Sequence, residues 1–172
     1  MAATGWLTEP EERAWRAYRE MQAVLPARMA RDLGRDSGLS DPDYDVLSTL
    51  SEKERQRWQL RDLAAKMLWS RSRLSHHVDR MEQRGLVARE EDPDDRRGCI
   101  LVMTREGRRT LERAAPYHVA SVRAHLLDLL DDDELATLTR IAERVVDRLA
   151  AGLPEQRDGR DHRVSEQPGR PG

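Results

Sequence analysis

Thiols, lysine and long apolar runs are nearly absent from this sequence. Cys99 is the only cysteine, so no disulfide can form within the chain, which fits a reducing compartment. No apolar run approaches the roughly 20 residues that a membrane-spanning helix needs. The first residues also lack the basic segment and apolar stretch of a secretory signal peptide. We therefore expect a cytoplasmic protein that has no membrane partner.

Phenylalanine is missing altogether, so the core must rest on leucine, valine, methionine and four tryptophans. With 38% hydrophobic and 36% charged residues, the chain is too apolar to be disordered throughout. Its 172 residues suffice for one domain with a substantial core. Only Lys53 and Lys66 are lysines, and such an abundance of arginine is typical of GC-rich genomes, which lowers the weight of any single arginine.

Charge is unevenly distributed, although the net charge is only −2. Between positions 66 and 89, six basic residues face only Asp79 and Glu82, a local balance of +4 before two histidines are counted. The six are Lys66, Arg71, Arg73, Arg80, Arg84 and Arg89. Such segregation can create a positive face for nucleic acid, although charge blocks are more often plain solvated surface.

Apolar residues at helical spacing predict a long first helix over about 11–34. Thr8 and Glu11 form a capping-box pattern at its start, and Pro26 is expected to kink or divide it. Its apolar stripe consists of Trp15, Tyr18, Met21, Leu25, Met29 and Leu33.

Three shorter helices are predicted next. Asp41 and Pro42 are preferred residue types for the N-cap and first position of one. Another carries Leu63, Ala64 and Met67. Ser70 can cap the next, and Gly85 suits the left-handed position after its last turn. Its apolar positions are Leu74, Val78 and Met81. Two helices joined by a three-residue turn make a helix-turn-helix.

A β-hairpin wing is predicted after this motif. The segments 86–88 and 99–103 are short and apolar, and a charged loop over 92–98 joins them. Trp58 to Leu60 is a further short strand candidate. Acidic residues beside arginines in the loop can orient an arginine toward a groove or a phosphate.

Two long helices are predicted after the wing. Thr104 can cap one that reaches about residue 129, with Pro116 expected to kink it. Asp131 and Glu134 form a capping-box pattern before the last helix. Its apolar positions are Leu135, Leu138, Ile141, Val145 and Leu149.

The helix after Ser70 has a polar face opposite its apolar positions. That face carries Ser72, Arg73, His76, Arg80 and Gln83. A helix of this width fits the major groove of DNA, where arginine can hold guanine bidentately. The alternative interpretation is that this face is only solvated surface. The flanking helix, turn and wing argue against that interpretation.

Several separated motifs agree in order and spacing with one family and span roughly residues 60–111. They are Leu60-Arg61-Asp62-Leu63-Ala64, Ser70 to Met81, Gly85-Leu86-Val87, Asp95-Arg96-Arg97 and Leu101 to Gly107. In these motifs the chain resembles the MarR family of bacterial regulators. The resemblance implies a mainly α-helical fold with a small β-hairpin wing, in which N- and C-terminal dimerisation helices flank a winged helix-turn-helix.

The expected boundaries are 1–10 for an N-terminal arm, 11–153 for the MarR-like domain, 11–34 and 105–151 for the dimerisation helices, 42–104 for the winged helix-turn-helix, and 154–172 for a tail expected to be disordered.

The resemblance also implies a function and a set of site residues. The expected function is a dimeric DNA-binding transcriptional regulator, a repressor that reads an inverted-repeat operator and is released by a small-molecule effector. The expected DNA-binding residues are Ser70, Arg71, Ser72, Arg73, Ser75, His76, Arg80, Asp95, Arg96 and Arg97. The expected dimer-interface residues are Leu126, Leu135, Leu138, Ile141, Val145 and Leu149. Because His76 stands where many members carry arginine, base preference cannot be transferred.

Other functions find less support in the sequence. No cysteine lies in the first helix, where peroxide-sensing members carry theirs, and a sensor role for Cys99 needs a lowered thiol pKa that nothing nearby supplies. The histidines and Cys99 include no pair at the four-residue helical spacing of a two-histidine metal site, so we expect no metal and no cofactor. Ligand-wall candidates are Tyr18, Tyr44, Trp69 and His118.

Two further alternatives belong to other classes of protein. A winged-helix module that binds protein partners without sequence-specific DNA binding is the alternative function. An enzyme is not expected, because no nucleophile elbow or glycine-rich phosphate loop is present, and the serines near His76 lie on adjacent helix positions that do not face one another.

Overall fold

A computed structural model describes residues 5–53, 55–93, 95 and 98–150. The elements are, in chain order, α1 (Glu9–Ser37), α2 (Asp41–Ser51), β1 (Arg57–Gln59), α3 (Leu60–Lys66), α4 (Arg71–Gln83), β2 (Val87–Glu91), β3 (Cys99–Met103), α5 (Arg105–His125), a 3-10 helix (Leu127–Leu129) and α6 (Asp132–Ala150). No helix of this described part is long and apolar enough to cross a bilayer. The fold is therefore mainly helical with a small antiparallel sheet, as the sequence predicts.

The chain divides into two compact units between Leu130 and Asp131. In the first unit α1 packs along α5, and α2 to α4 pack around one apolar core together with the sheet. The fully buried side chains at its centre include Leu47, Leu50, Leu63, Leu74, Val78, Met81 and Leu101. In the second unit, α6 begins with the predicted capping box, in which Glu134 N–H donates to Asp131 and Asp131 N–H donates to Glu134.

The sheet has the strand order β1-β3-β2, and both pairings are antiparallel. The wing strands β2 and β3 are in register from Val87 opposite Met103 to Glu91 opposite Cys99. β1 pairs with the other edge of β3, with Trp58 opposite Leu101. The hairpin predicted from the two apolar segments is thus confirmed, and the third strand ties it to the start of α3.

Local capping signals predict several helix ends correctly. Ser70 Oγ accepts the Arg73 N–H at 3.2 Å, and Thr104 Oγ1 accepts the Gly107 N–H at 2.9 Å. Gly85 has φ +70°, the left-handed conformation expected after α4. These helix ends depend on groups within three or four residues, which is why the sequence predicts them.

Four expectations about the helices are wrong. Pro26 does not divide α1, because a proline removes only one backbone donor from a helix whose neighbouring turns stay bonded. α1 extends beyond Gly34 and ends where Gly38 adopts φ +73°. The N-cap of α2 is Ser40 rather than Asp41, since the Ser40 side chain accepts the N–H of Asp43.

The fourth of these concerns the helix after the wing. α5 ends at His125 instead of reaching residue 129, and Leu127–Leu129 form a separate 3-10 turn. At the break, Leu126 has φ −142° and ψ −62°, outside the helical range. Its N–H still donates to Val122 O at 3.0 Å, so the last turn of α5 is closed.

Candidate nucleic-acid interface

The two faces of α4 have opposite character. The predicted apolar positions Leu74, Val78 and Met81 are buried. The exposed residues of α4 are Arg71, Ser72, Arg73, His76, Asp79, Arg80, Glu82 and Gln83. This burial leaves a polar, arginine-containing surface on a helix that the core holds from behind.

The N-terminal end of α4 is held by a sharp turn. Leu68 has φ +54°, an uncommon conformation for a residue with a side chain, and Trp69 N–H donates to Ala64 O at 2.8 Å. The Arg73 guanidinium then lies over the Trp69 ring, 4.0 Å from its centroid. This cation–π contact orients the exposed arginine on the first turn of the helix.

Arg89 joins the wing to α4. Its guanidinium lies 2.6 Å from Glu82 and 2.7 Å from Asp79, and it donates to the carbonyl of Ser75 at 3.1 Å. Burial lowers the pKa of Arg89, but its hydrogen bonds to the two carboxylates outweigh burial and raise it overall. Arg89 is therefore paired with the two acidic residues of this segment and does not add to a free positive patch.

Two more of the six basic residues in this segment are also paired. Arg84 lies 2.8 Å from the buried carboxylate of Asp43, and Lys66 lies 3.1 Å from Glu52. The positive character of the surface therefore comes from the three remaining exposed side chains. These are Arg71, Arg73 and Arg80.

The predicted wing residues are only partly described. Asp95 lies in the loop between β2 and β3, with a carboxylate oxygen 3.7 Å from the Arg61 guanidinium on α3. Arg96 and Arg97 lie outside the described residues. Buried Asp92 was not among the predicted site residues; it accepts a hydrogen bond from the Gln59 amide at 2.7 Å and so ties the base of this loop to β1.

The predicted ligand-wall residues do not all lie around one site. Tyr44 and His118 stack at 4.3 Å between α2 and α5, whereas Tyr18 stacks on Trp15 along α1. Burial raises the pKa of the Cys99 thiol, which is opposite to what a reactive cysteine needs. Within the described ranges, no group of three histidine, cysteine or acidic side chains could hold a metal ion.

The predicted dimer-interface residues are poorly covered. None of α6 is buried, and Ile141, Val145 and Leu149 are 49%, 51% and 65% exposed. Leu126, Leu135 and Leu138 are half-buried. α1 also exposes large apolar side chains, including Trp15 at 51%. Apolar area of this extent is typical of a surface that another molecule covers.

A buried polar cluster between α1 and α5 was not predicted. Asp32 accepts hydrogen bonds from His125 at 2.6 Å and from Ser121 at 3.3 Å, and Arg35 lies 3.2 Å from its other oxygen. The hydrogen bond from His125 is the main reason that the pKa of Asp32 lies below its ordinary value. No periodic signal marks such a contact, because its members come from helices about ninety residues apart.

His77 was assigned to neither face of α4 from the sequence, and it is buried at 7% exposure on the core side of this helix. Its position was available from the sequence, because it lies three residues after Leu74 and four before Met81. His77 Nε2 lies 3.0 Å from Asp43 Oδ1. The imidazole thus links α4 to the start of α2.

Comparison with known proteins places this arrangement in a family. The model of the MarR family matches residues 39–99, which include the helix-turn-helix, the wing strand β2 and the first residue of β3. AbsC, a MarR family transcriptional regulator from Streptomyces coelicolor, is 40% identical, with a TM-score of 0.81 over 86% of this chain and 99% of that chain.

The chain belongs to the MarR family. A second MarR family regulator of S. coelicolor, Sco3205, was solved in complex with DNA and is 37% identical, with a TM-score of 0.82 over 91% of this chain and 95% of that chain. The transcriptional regulator MhqR of Bacillus subtilis is 29% identical over 130 residues, 76% of this chain and 84% of the relative. MarR family members are transcriptional regulators, not enzymes.

Proposed function

We propose that this MarR family regulator binds double-stranded DNA as a homodimer, with α4 in the major groove of each half-site and the β2–β3 wing beside it. The observation that carries the proposal is the exposed row of Arg71, Arg73, His76 and Arg80 on a helix whose opposite face is core. The MarR relative solved with DNA is 37% identical to this chain over the aligned residues, which supports the same mode of binding.

Within this proposal, Ser70 to Arg80 supply the base and phosphate contacts of the helix. Arg73 is held over the Trp69 ring, and we assign it a contact to a base edge. Asp95, Arg96 and Arg97 form the wing contact. Arg89 keeps the wing strand beside α4, since it is carried by β2 and its guanidinium bonds to Ser75 and Glu82 of α4.

The homodimer is proposed to form through α1, α5 and α6, each of which has large apolar side chains exposed over about half of their surface. The homodimer would then have a two-fold axis. Such a dimer reads an inverted repeat whose half-sites lie about one helical turn apart. Repression follows where that operator overlaps a promoter in the bacterial cytoplasm.

Release by a small molecule is the regulatory part of the proposal. The stacked pair of Tyr44 and His118 is half-buried where α2, which carries the core of the winged part, meets α5. A lipophilic ligand that separates these rings would move the winged part relative to the dimerisation helices. Loss of operator binding in the presence of such a compound, but not in a Tyr44→Ala variant, tests this part.

Selection from a random DNA pool tests the central proposal. The wild type should enrich an inverted repeat, and Arg73→Ala should lose preference at defined positions of each half-site, with a cost of about 1 to 3 kcal/mol on the selected site. Arg109→Ala, which removes an exposed arginine from α5, is the matched control and should select the same motif as the wild type.

Two results would contradict the proposal. Identical base preferences for the wild type and Arg73→Ala would show that Arg73 does not contact bases. Failure of the wild type to enrich any sequence would favour the alternative, a winged-helix module that binds protein partners.

A further inference from the structure

The imidazole of His77 lies directly behind the exposed arginines of α4. One ring nitrogen, Nδ1, lies 2.9 Å from the guanidinium of Arg80, and the other, Nε2, lies 3.0 Å from the Asp43 carboxylate. With 7% of its surface exposed, His77 is more buried than any other residue of α4 apart from the apolar positions. Both of its polar atoms therefore have charged neighbours inside the protein.

These two neighbours allow only one protonation state of the ring. A guanidinium has donors and no acceptor, so the Nδ1 atom that receives Arg80 must carry a lone pair. The single proton of the neutral ring is then on Nε2, which lies 3.0 Å from Asp43 Oδ1 in an alignment too poor for a hydrogen bond, so this contact is mainly electrostatic. Burial raises the pKa of Asp43, but hydrogen bonds from Arg84 and Ser40 outweigh it and keep this carboxyl ionised.

The same ring also supports the second arginine. Trp69 packs against His77 edge to face, with the ring centroids 5.7 Å apart and the planes at 87°. Arg73 lies over that tryptophan at 4.0 Å. Arg80 also donates to the carbonyl of His76 at 3.2 Å, so two hydrogen bonds hold its guanidinium in place.

We infer that His77 is a positioning residue for DNA recognition: in its neutral form it holds Arg80 directly and Arg73 through Trp69, and protonation of Nδ1 releases Arg80. The inference rests on the proposed function of α4. Sequence-specific binding should then weaken in acid, because a protonated Nδ1 and a guanidinium cannot both donate to each other. His77 itself does not contact DNA.

The charged groups around His77 set the pH range of this effect. They are Asp43 on α2, and Arg80 and Arg84 on α4; Trp69, from the turn before α4, is uncharged. Burial and the two arginines lower the pKa of His77 below 6.5, and the attraction of Asp43 only partly offsets them. The loss of specificity is therefore expected below pH 6.5.

The test compares the ratio of specific to non-specific DNA affinity between pH 5 and pH 8 in three proteins. His77→Gln replaces the ring by an amide, which does not titrate and can present NH2 to Asp43 and an oxygen to Arg80. His77→Phe keeps a ring of similar size without either polar atom. All three proteins retain the exposed His76, so any pH effect of that residue is common to them.

The wild type should lose about tenfold in the ratio below pH 6.5, as expected when one directional base contact is disturbed. His77→Gln should keep the wild-type ratio at pH 7.5 and hold it at low pH, and His77→Phe should be low throughout. Parallel pH profiles for the wild type and His77→Gln would overturn the inference, and so would a wild-type ratio for His77→Phe at pH 7.5.

Nitrogen NMR of His77 in the free wild-type protein gives a reading that does not depend on DNA. It should show a bare Nδ1 and a protonated Nε2 at pH 7.5, and protonation of Nδ1 only below pH 6.5. A proton on Nδ1 at pH 7.5 would refute the inference about His77 and leave the proposed function intact. A wild type with no sequence-specific binding at any pH would refute the proposed function and with it the role of His77. Circular dichroism at each pH, with the fold retained, ensures that changes in the ratio are not due to unfolding.

Discussion

The core of the winged part and the helices at the two ends of the chain use the same apolar spacing with different results. Leu47, Leu74 and Leu101 have no exposed surface, whereas Trp15 on α1 and Val145 on α6 are each 51% exposed. The three leucines are buried entirely by contacts within one chain. Trp15 and Val145 remain half open to solvent, and leaving that much apolar surface in water costs free energy in proportion to its area.

This difference shows that an amphipathic pattern marks a face that needs a cover without saying what covers it. For α2 to α4 the cover is the rest of the same chain. For α1 and α6 we propose a second copy, since closed symmetric dimers are the commonest way to cover such faces. Substitutions in the two regions should therefore affect different equilibria, folding in one and assembly in the other.

The largest expected effect is on folding, from Leu74→Ala. This side chain is fully buried, so its truncation leaves a cavity and should lower the free energy of unfolding by about 2 to 5 kcal/mol. Denaturant titration of the protein measures this. Ser72→Ala, an exposed change on the same helix, is the control and should stay within about 0.5 kcal/mol of the wild type.

The double variant Leu138→Glu and Val145→Glu should act on assembly. Two carboxylates in an apolar interface should weaken the proposed dimer by about 3 kcal/mol or more, which yields monomers at micromolar concentration. Sedimentation velocity measures the change. Ala136→Glu, on the opposite side of α6 by helical spacing, should remain dimeric. A double variant that stays dimeric would show that this face is not the interface.

Substitutions in the wing should have a smaller effect, and this effect should fall on DNA affinity without changing sequence preference. Arg97→Ala or Arg96→Ala, at positions outside the described residues, should weaken binding to all DNA sequences about equally and reduce the slope of log affinity against log salt by about one unit. Titrations at several salt concentrations measure this. Uniform loss of affinity with an unchanged slope would argue against a phosphate contact.

The stability that the contact between α1 and α5 contributes should depend on pH. The hydrogen bond from His125, helped by Arg28 and Arg35, holds the pKa of Asp32 below 3.8 although burial opposes it. A depressed carboxyl pKa stabilises the fold above pH 3.8 and loses that contribution as pH falls through the folded value. The melting temperature of the wild type should thus fall more steeply in this range than that of Asp32→Asn. Equal slopes would contradict this role.

The smallest effect is expected from deletion of residues 154–172. These residues lie outside the described part of the chain, and their sequence has almost no apolar side chain to bury, with Val164 as the exception. The melting temperature of the truncated protein should match that of the full chain within about 1 °C. A clear decrease would show that this segment contributes to the fold.

Several features of this protein follow from the sequence alone because they depend on neighbouring residues. Ser70, Gly85 and Thr104 mark helix ends, and each acts on backbone groups within a few positions. The helical spacing of apolar residues likewise predicted the buried face of α4, and two short apolar segments predicted the wing strands. The family motifs sit on these same elements, which is why the resemblance implied the correct architecture.

Other features were decided only by the tertiary structure, because their partners are distant in the chain. Arg89 counts as a free positive charge in the sequence, but the turn after α4 brings β2 back along the helix and pairs Arg89 with Glu82 and Asp79. His77 meets Asp43 only because α2 packs against α4. A charge in a sequence has no fixed partner until packing determines which oxygen lies within 3 Å, and burial then decides how strongly the pair interacts.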